Sequence, residues 1–274
     1  MSHNNQKKIA VINDFCGFGR CSIAASLPII SAMKIQCCPM PTSIFSNHTG
    51  YESFHRTDYT DNMNAYMDEW RKLDLKFDAI LCGYLASPDQ IEIVKRFIDC
   101  FKDEDTAVVI DPVMGDNGRL YTSYSSQLAE KMKELVGSAD IITPNLTEAC
   151  ILTGAEYREN MGDDELIALC NKLSNIGPER IVVSGLEREG ELLNCVYERG
   201  KPLSIIRAKK IGPCRAGTGD VFSSMIAADT VNGKSLSCAV EHASAFIAKA
   251  LGRTVELKVP EEDGICFEEF LKEI

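Results

Sequence analysis

The sequence predicts an α/β fold: a three-layer α/β/α sandwich whose mostly parallel central sheet carries helices on both faces and ends in an antiparallel edge. Short runs rich in branched apolar residues alternate with segments of helical periodicity, the order that builds a parallel sheet between helix layers. These runs are apolar throughout rather than at every second position, as strands covered on both faces are. After residue 184 the rhythm changes to two strand-like runs joined by a turn, a hairpin signal.

In chain order, the strand-like runs are Ile9–Ile12, Ile35–Met40, Ala79–Cys82, Ala107–Asp111, Asp140–Thr143 and Arg180–Ser184. Between them, Ser22–Met33, Asp61–Lys72, Pro88–Phe101, Ser125–Val136, Asn145–Leu152 and Asp163–Leu173 place apolar residues at helical spacing behind polar starts. Glu191–Tyr197 and Leu203–Ala208 form the hairpin, and two longer helices follow at Thr218–Val231 and Ser235–Leu251 before a turn-like Phe267–Lys272. No linker, repeat or low-complexity stretch interrupts this order, so residues 1–274 read as one domain.

Composition narrows the function classes. With 45% hydrophobic and 25% charged residues the chain has the make-up of a soluble globular protein, and no window approaches the roughly 18 apolar residues that a membrane span needs. The opening MSHNNQKK runs straight into the first apolar run with no secretory pattern, so a cytoplasmic location is expected. A net charge of −11 repels phosphate backbones and argues against a nucleic-acid partner. An anionic small molecule would have to be held locally, by backbone amides, a metal ion or a few placed cations. The twelve cysteines include no C-x-x-C pair, which argues against zinc and for buried free thiols in a reducing compartment.

The most informative motif is Gly217-Thr218-Gly219-Asp220 at the start of a helix. Glycines there let the backbone approach a ligand, and unpaired N–H groups with the helix dipole favour negative charge. A carboxylate at such a place repels an anion unless it takes a proton from an attacking hydroxyl, so Asp220 is the candidate base. An ordinary helix cap explains Thr218 and Asp220 equally well. Asp111 closes one strand and leads to Asp116, while Thr143-Pro144-Asn145 closes the next and sets Glu148 one turn into a helix. In parallel sheets such groups face the ligand crevice at the carboxyl ends of the strands, and their oxygens suit Mg²⁺. Each alone reads equally well as a cap; their convergence favours a site. Phe45 to Tyr51, with Gly83-Tyr84, joins aromatic faces to short polar groups, as a flat heteroaromatic ligand requires. His48 alone is more often structural.

Two apparent nucleotide motifs fail. Gly17-Phe18-Gly19-Arg20-Cys21-Ser22 lacks the third glycine of a dinucleotide fingerprint, and the second strand ends without an acidic residue. Gly233-Lys234-Ser235 resembles the end of a Walker A loop, but position 228 is Ala and no strand precedes it.

The motifs FSNHTGY at 45–51, GYLAS at 83–87, DPVMGD at 111–116, ADIITPN with Glu148 at 139–148, and GTGD at 217–220 stand in an order that resembles pyridoxal kinases of the ribokinase-like superfamily over nearly the whole chain. The resemblance implies ATP-dependent phosphorylation of the 5′-hydroxymethyl group of pyridoxal, pyridoxine or pyridoxamine, with Mg²⁺, possible use of K⁺, and a homodimer. It casts Asp220 as catalytic base and Gly217, Thr218 and Gly219 as the anion hole, the first two also touching the nucleotide. Asp111, Asp116, Asn145 and Glu148 would organise Mg²⁺ and its waters around the phosphates. Thr143 and Ser184 would meet a monovalent cation or the ATP phosphates, and Phe45, His48, Thr49 and Tyr84 the pyridine. Asp14 stands where B6 kinases commonly have serine, and resembles the aspartate in the first loop of hydroxymethylpyrimidine kinases. It is expected to pair with a protonated ring nitrogen or the ammonium of pyridoxamine. The alternatives are a hydroxymethylpyrimidine kinase of thiamine synthesis and a nonenzymatic B6-binding protein. The polar stretch Gly115–Ser126 is the expected lid.

Overall fold

The computed structural model describes residues 2–121 and 124–274. Among them, one nine-stranded sheet runs in the order β11-β10-β9-β8-β5-β4-β1-β2-β3. Its strands are β1 (Lys8–Cys16), β2 (Gln36–Phe45), β3 (Arg56–Asp58), β4 (Ala79–Cys82), β5 (Ala107–Ile110), β8 (Ile141–Ile142), β9 (Arg180–Arg188), β10 (Glu191–Glu198) and β11 (Ser204–Lys209); β6 (Gly115–Asp116) and β7 (Arg119–Leu120) form a separate hairpin. Strands β2, β1, β4, β5, β8 and β9 are parallel neighbours, and β10, β11 and β3 add antiparallel pairings at the two edges. The mostly parallel sheet with an antiparallel edge therefore has the expected architecture, with a second antiparallel edge at β3.

The helices are α1 (Ser22–Ala32), α2 (Thr60–Lys72), α3 (Pro88–Phe101), α4 (Ser126–Val136), α5 (Leu146–Thr153), α6 (Asp163–Ser174), α7 (Thr218–Val231) and α8 (Leu236–Glu256), followed by 3-10 turns at Glu261–Asp263 and Glu268–Glu273. Successive strand residues point to opposite faces, and this splits the core in two. Ala10, Ile12, Ile80, Val108, Ile110 and Ile142 pack with helices α2 to α6. Ile9, Val11, Leu81, Val109, Ile141 and Val182 pack with α1, α7 and α8. That division is the physical content of the unbroken apolar runs: every side chain in them has a helix layer to enter.

Several elements differ from expectation. Strand β2 runs on past the expected end at Met40 to Phe45, with Pro39 and Pro41 inside it. The Gln36 N–H donates to the Lys7 carbonyl, so alternate residues 38 and 40 also face β1, while 39 and 41 face the open edge and lose no ladder bond. The Tyr66 hydroxyl donates to the outward Pro39 carbonyl, 3.1 Å away. Strand β3 was missed because Arg56-Thr57-Asp58 is wholly exposed and carries no apolar signal. The expected lid begins as the β6–β7 hairpin, with Asn117 and Gly118 at its tip in left-handed conformations. Residues 122 and 123 of that stretch lie outside the described residues. Ser125 caps α4 rather than belonging to it, its hydroxyl accepting the Leu128 N–H. Among the described residues, no helix is long and apolar enough to cross a membrane.

Candidate active site at the carboxyl ends of the strands

The alternation that divides the core also builds the site. One residue beyond the apolar run, β1, β4, β5, β8 and β9 present Asn13, Gly83, Asp111, Thr143 and Ser184, each in register with the side chains that face α7. Helix α7 points its N-terminus at this row, where its first N–H groups have no partner within the helix. Gly217 caps it with φ +78°, and a Cβ there would overlap the Arg20 carbonyl oxygen, so the turn requires glycine. The Thr218 hydroxyl donates to the Arg215 carbonyl at 2.9 Å, tying the first turn of α7 to the segment before it. Gly219 lies against Asp111, whose Oδ2 would be 3.8 Å from an added Cβ.

Asp220 is half-buried on the first turn of α7. Burial pushes its carboxyl up to about 6; the Ser22 N–H and the Asn13 amide, by hydrogen bonding to it, oppose this, and the charge of Asp14 adds to it. Asn13 Nδ2 stands 3.0 Å from Asp220 Oδ1. Ser22 reaches its position through a left-handed backbone, φ +56°, uncommon for a residue with a Cβ. Neither Asn13 nor Ser22 was singled out from the sequence. The position of Asn13, first after an apolar run in register with α7, is the signal that would have found it.

Asp111 is buried, and its carboxyl lies well above the usual range, first through burial and then through the charge of Asp220. The Thr143 hydroxyl is buried without a geometrically satisfactory hydrogen-bond partner, although its proximity to Asp111 offsets part of that rise. Glu148 and Asn145 form a capping box at α5: Glu148 Oε2 accepts the Asn145 N–H at 2.8 Å, and Asn145 Oδ1 accepts the Glu148 N–H at 2.9 Å. The other Glu148 oxygen accepts the Met114 N–H at 3.0 Å, and Asn145 Nδ2 donates to the Gly115 carbonyl at 2.8 Å. The cap reading therefore holds for this pair, and its remaining side-chain bonds run to the backbone at Met114 and Gly115. Burial, followed by the charge of Asp111, raises the Glu148 carboxyl. Asp116 sits on β6 with its carboxylate accepting from the Asn117 backbone and side chain.

Phe45 and Tyr84 pack 6.4 Å apart, ring to ring, with Cys16 and Cys21 in a small apolar cluster. Arg56 lies over the Phe45 ring, 5.7 Å from its centroid. Thr49 is exposed. His48 is tied down at both nitrogens: Nε2 donates to the Glu262 carbonyl at 2.7 Å while Nδ1 accepts the Gly50 N–H at 3.1 Å. It therefore anchors the 46–55 loop to the 3-10 turn at 261–263, and only its ring face remains for a ligand. Tyr51 adds a second tie, its hydroxyl donating to Asp263 Oδ1 at 2.9 Å. Asp14 is buried, accepts from the Cys16 thiol at 3.2 Å and from the Ser22 hydroxyl, and has its carboxyl raised by burial.

Asp111, Glu148 and Asp220 have no Lys or Arg partner among the described residues, so their shared negative charge suits an added cation. Among the described residues no three His, Cys, Asp or Glu side chains stand close enough to hold a metal by themselves. The donor set fits Mg²⁺ bound through waters and a phosphate ligand better than a protein cage.

The whole architecture is that of known proteins. A Bacteroides thetaiotaomicron protein crystallised as a phosphomethylpyrimidine kinase candidate superposes with TM-score 0.97 at 38% identity, over 100% of this chain and 95% of that one. A second crystal form of it, with pyridoxal, gives 0.95 at 37%, over 98% and 96%. The fold and these relatives place the chain among the ribokinase-like kinases. The sequence profile of the phosphomethylpyrimidine kinase family matches residues 18–263, and the chain belongs to that family. Among the curated relatives, the Bordetella avium pyridoxine/pyridoxal/pyridoxamine kinase is 28% identical over 267 residues, 90% of this chain and 86% of the relative. A chloroplastic thiamine biosynthetic bifunctional enzyme of Arabidopsis thaliana is 28% identical over 244 residues, 86% of this chain, which spans only 45% of that enzyme's length.

Proposed function

We propose that the chain transfers the γ-phosphoryl group of ATP to the 5′-hydroxymethyl group of a vitamin B6 vitamer. The observation that carries this reading is the placement of Asp220: a half-buried carboxylate with a raised pKa, held by two donors, beside the unpaired N–H groups at the start of α7. The pyridoxal complex of the Bacteroides protein, 37% identical, supports the choice of substrate.

In this reading Asp220 takes the hydroxyl proton as the oxygen attacks in line, and the amides of 217–219 receive the charge on the equatorial phosphoryl oxygens. Mg²⁺ would supply charge neutralisation at the phosphates, organised by Asp111, Asp116 and Glu148 largely through water. Asn145, Thr143 and Ser184 line the phosphate side, where the unsatisfied Thr143 hydroxyl has a donor to offer a nucleotide oxygen or a lone pair to offer K⁺. In this reading Phe45, Tyr84, Thr49 and the ring face of His48 would meet the pyridine ring, and Asp14 its nitrogen or a substrate ammonium.

A second reading, hydroxymethylpyrimidine kinase, is favoured by Asp14 in β1 and by the family profile. A coupled assay of the purified protein with MgATP and pyridoxal, pyridoxine, pyridoxamine or hydroxymethylpyrimidine decides between them. ADP release with the vitamers and little with the pyrimidine is expected; the reverse overturns the assignment.

A further inference from the structure

We infer that Asn13 is a positioning residue for this transfer: through one amide it fixes the Asp220 carboxylate and ties that orientation to the backbone wall of the ring pocket at Tyr84. The inference rests on the phosphoryl-transfer reading above.

Asn13 is 4% exposed and lies within β1, where the pairing with β2 slips by a residue. Its Oδ1 accepts two backbone N–H groups, from Tyr84 at 2.8 Å and from Asp14 at 2.9 Å. Two donors require the oxygen at that position, which leaves the NH₂ group facing Asp220. Nδ2 then donates to Asp220 Oδ1 at 3.0 Å. The arrangement needs both halves of an amide, one accepting from backbone and one donating to a carboxylate. Aspartate keeps only the accepting half, and serine is too short to span from Tyr84 to α7.

Gly83 supplies the space. An added Cβ there would lie 2.5 to 2.8 Å from the Nδ2, Cγ and Oδ1 atoms of Asn13, so the glycine of Gly83-Tyr84 is needed for the amide to lie across β4. With the Ser22 N–H as the second donor, the Asp220 carboxylate is held from β1 and from the start of α1. A carboxylate on the first turn of a helix otherwise has free χ rotation, and pinning it removes the cost of orienting it at each turnover.

The test uses Asn13→Ala and Asn13→Asp in the full chain at pH 8. Asn13→Asp still accepts from Tyr84 and Asp14 but no longer donates to Asp220, so it separates positioning from folding. Each variant is expected to lower kcat at least about tenfold with KM for ATP changed by less than about threefold. In an Asp220→Asn background, Asn13→Ala is expected to cost less than about threefold more, because a residue acting through Asp220 has nothing left to position. Wild-type kcat in Asn13→Asp, or losses that multiply in the double variant, overturn the inference. The wild-type rate on pyridoxal separates the two claims. No turnover on any hydroxymethyl substrate refutes the proposed function, whereas turnover indifferent to Asn13 refutes only the positioning role.

Discussion

Gly217→Ala should damage catalysis far more than stability. Gly217 holds φ +78°, and an alanine there pays about 1–2 kcal/mol for the left-handed conformation. It also meets a hard obstacle, because the new Cβ would overlap the Arg20 carbonyl oxygen and lie 2.9 Å from the carbonyl carbon. Backbone on both sides must part by about 1 Å or more to restore ordinary contact, and one of the two sides is the N–H nest of α7. A misplacement of that size at a transferring group costs roughly 100-fold in rate. The left-handed strain alone corresponds to a fall in Tm of roughly 2–8 °C for a chain of this length. Gly200→Ala is the control: its φ is +82° with nothing within 4 Å of the added Cβ, so it carries the conformational cost alone. Steady-state ADP release and thermal melting of the two variants check this. Gly217→Ala within about threefold of wild-type kcat, or Gly200→Ala as inactive as Gly217→Ala, would refute the reasoning.

Asp111→Asn should raise Tm by a few degrees at pH 8 and lower kcat sharply. The folded state raises this carboxyl, so the fold binds its proton more tightly than the unfolded chain does; that stabilisation is present at acid pH and lost as pH rises through the folded value. The amide removes the penalty at alkaline pH and with it the negative charge proposed for Mg²⁺, so a variant no more stable than wild type at pH 8 would contradict the assignment. Thr143→Val removes a hydroxyl without a satisfactory internal partner, so Tm should hold or rise while KM for ATP or K⁺ dependence increases; a clear loss of Tm would show the hydroxyl is already satisfied. Asp14→Ser should lower kcat/KM for pyridoxamine relative to pyridoxal, and an unchanged ratio would remove the specificity role.

The sequence made the sandwich legible because its strands are buried on both faces and so register as apolar runs of strand length. The helices α3, α5 and α7 were placed within a residue or two, since Ser87, Asn145 and Gly217 are strong starts. Strand β3 and the β6–β7 hairpin were invisible for the opposite reason: their residues are polar or too few to set a period. Pro39 and Pro41 are harmless inside β2 because their nitrogens face an open edge, and which edge is open depends on strand order. The site residues at strand ends were legible as chemistry, but their mutual geometry was not. That Asn13 and Asp220 lie 207 residues apart and still share a hydrogen bond follows only from the chain path that sets α7 over β4 and β5, beside β1. His48 shows the converse, since nothing local announces that its Nε2 is taken by a carbonyl 214 residues away.

The most direct measurement of the central claim is single-turnover phosphoryl transfer from MgATP to pyridoxal by Asp220→Asn beside the wild type, followed from pH 5 to 8, with ATP binding measured in parallel. Burial raises the Asp220 carboxyl to about 6, so the wild-type rate should fall below that pH as the base is protonated. The variant is expected to bind ATP normally, lose roughly a thousandfold or more in rate at pH 8, and show no such limb. A variant within about tenfold of the wild type, or one that keeps the same acid limb, would contradict the role given to Asp220.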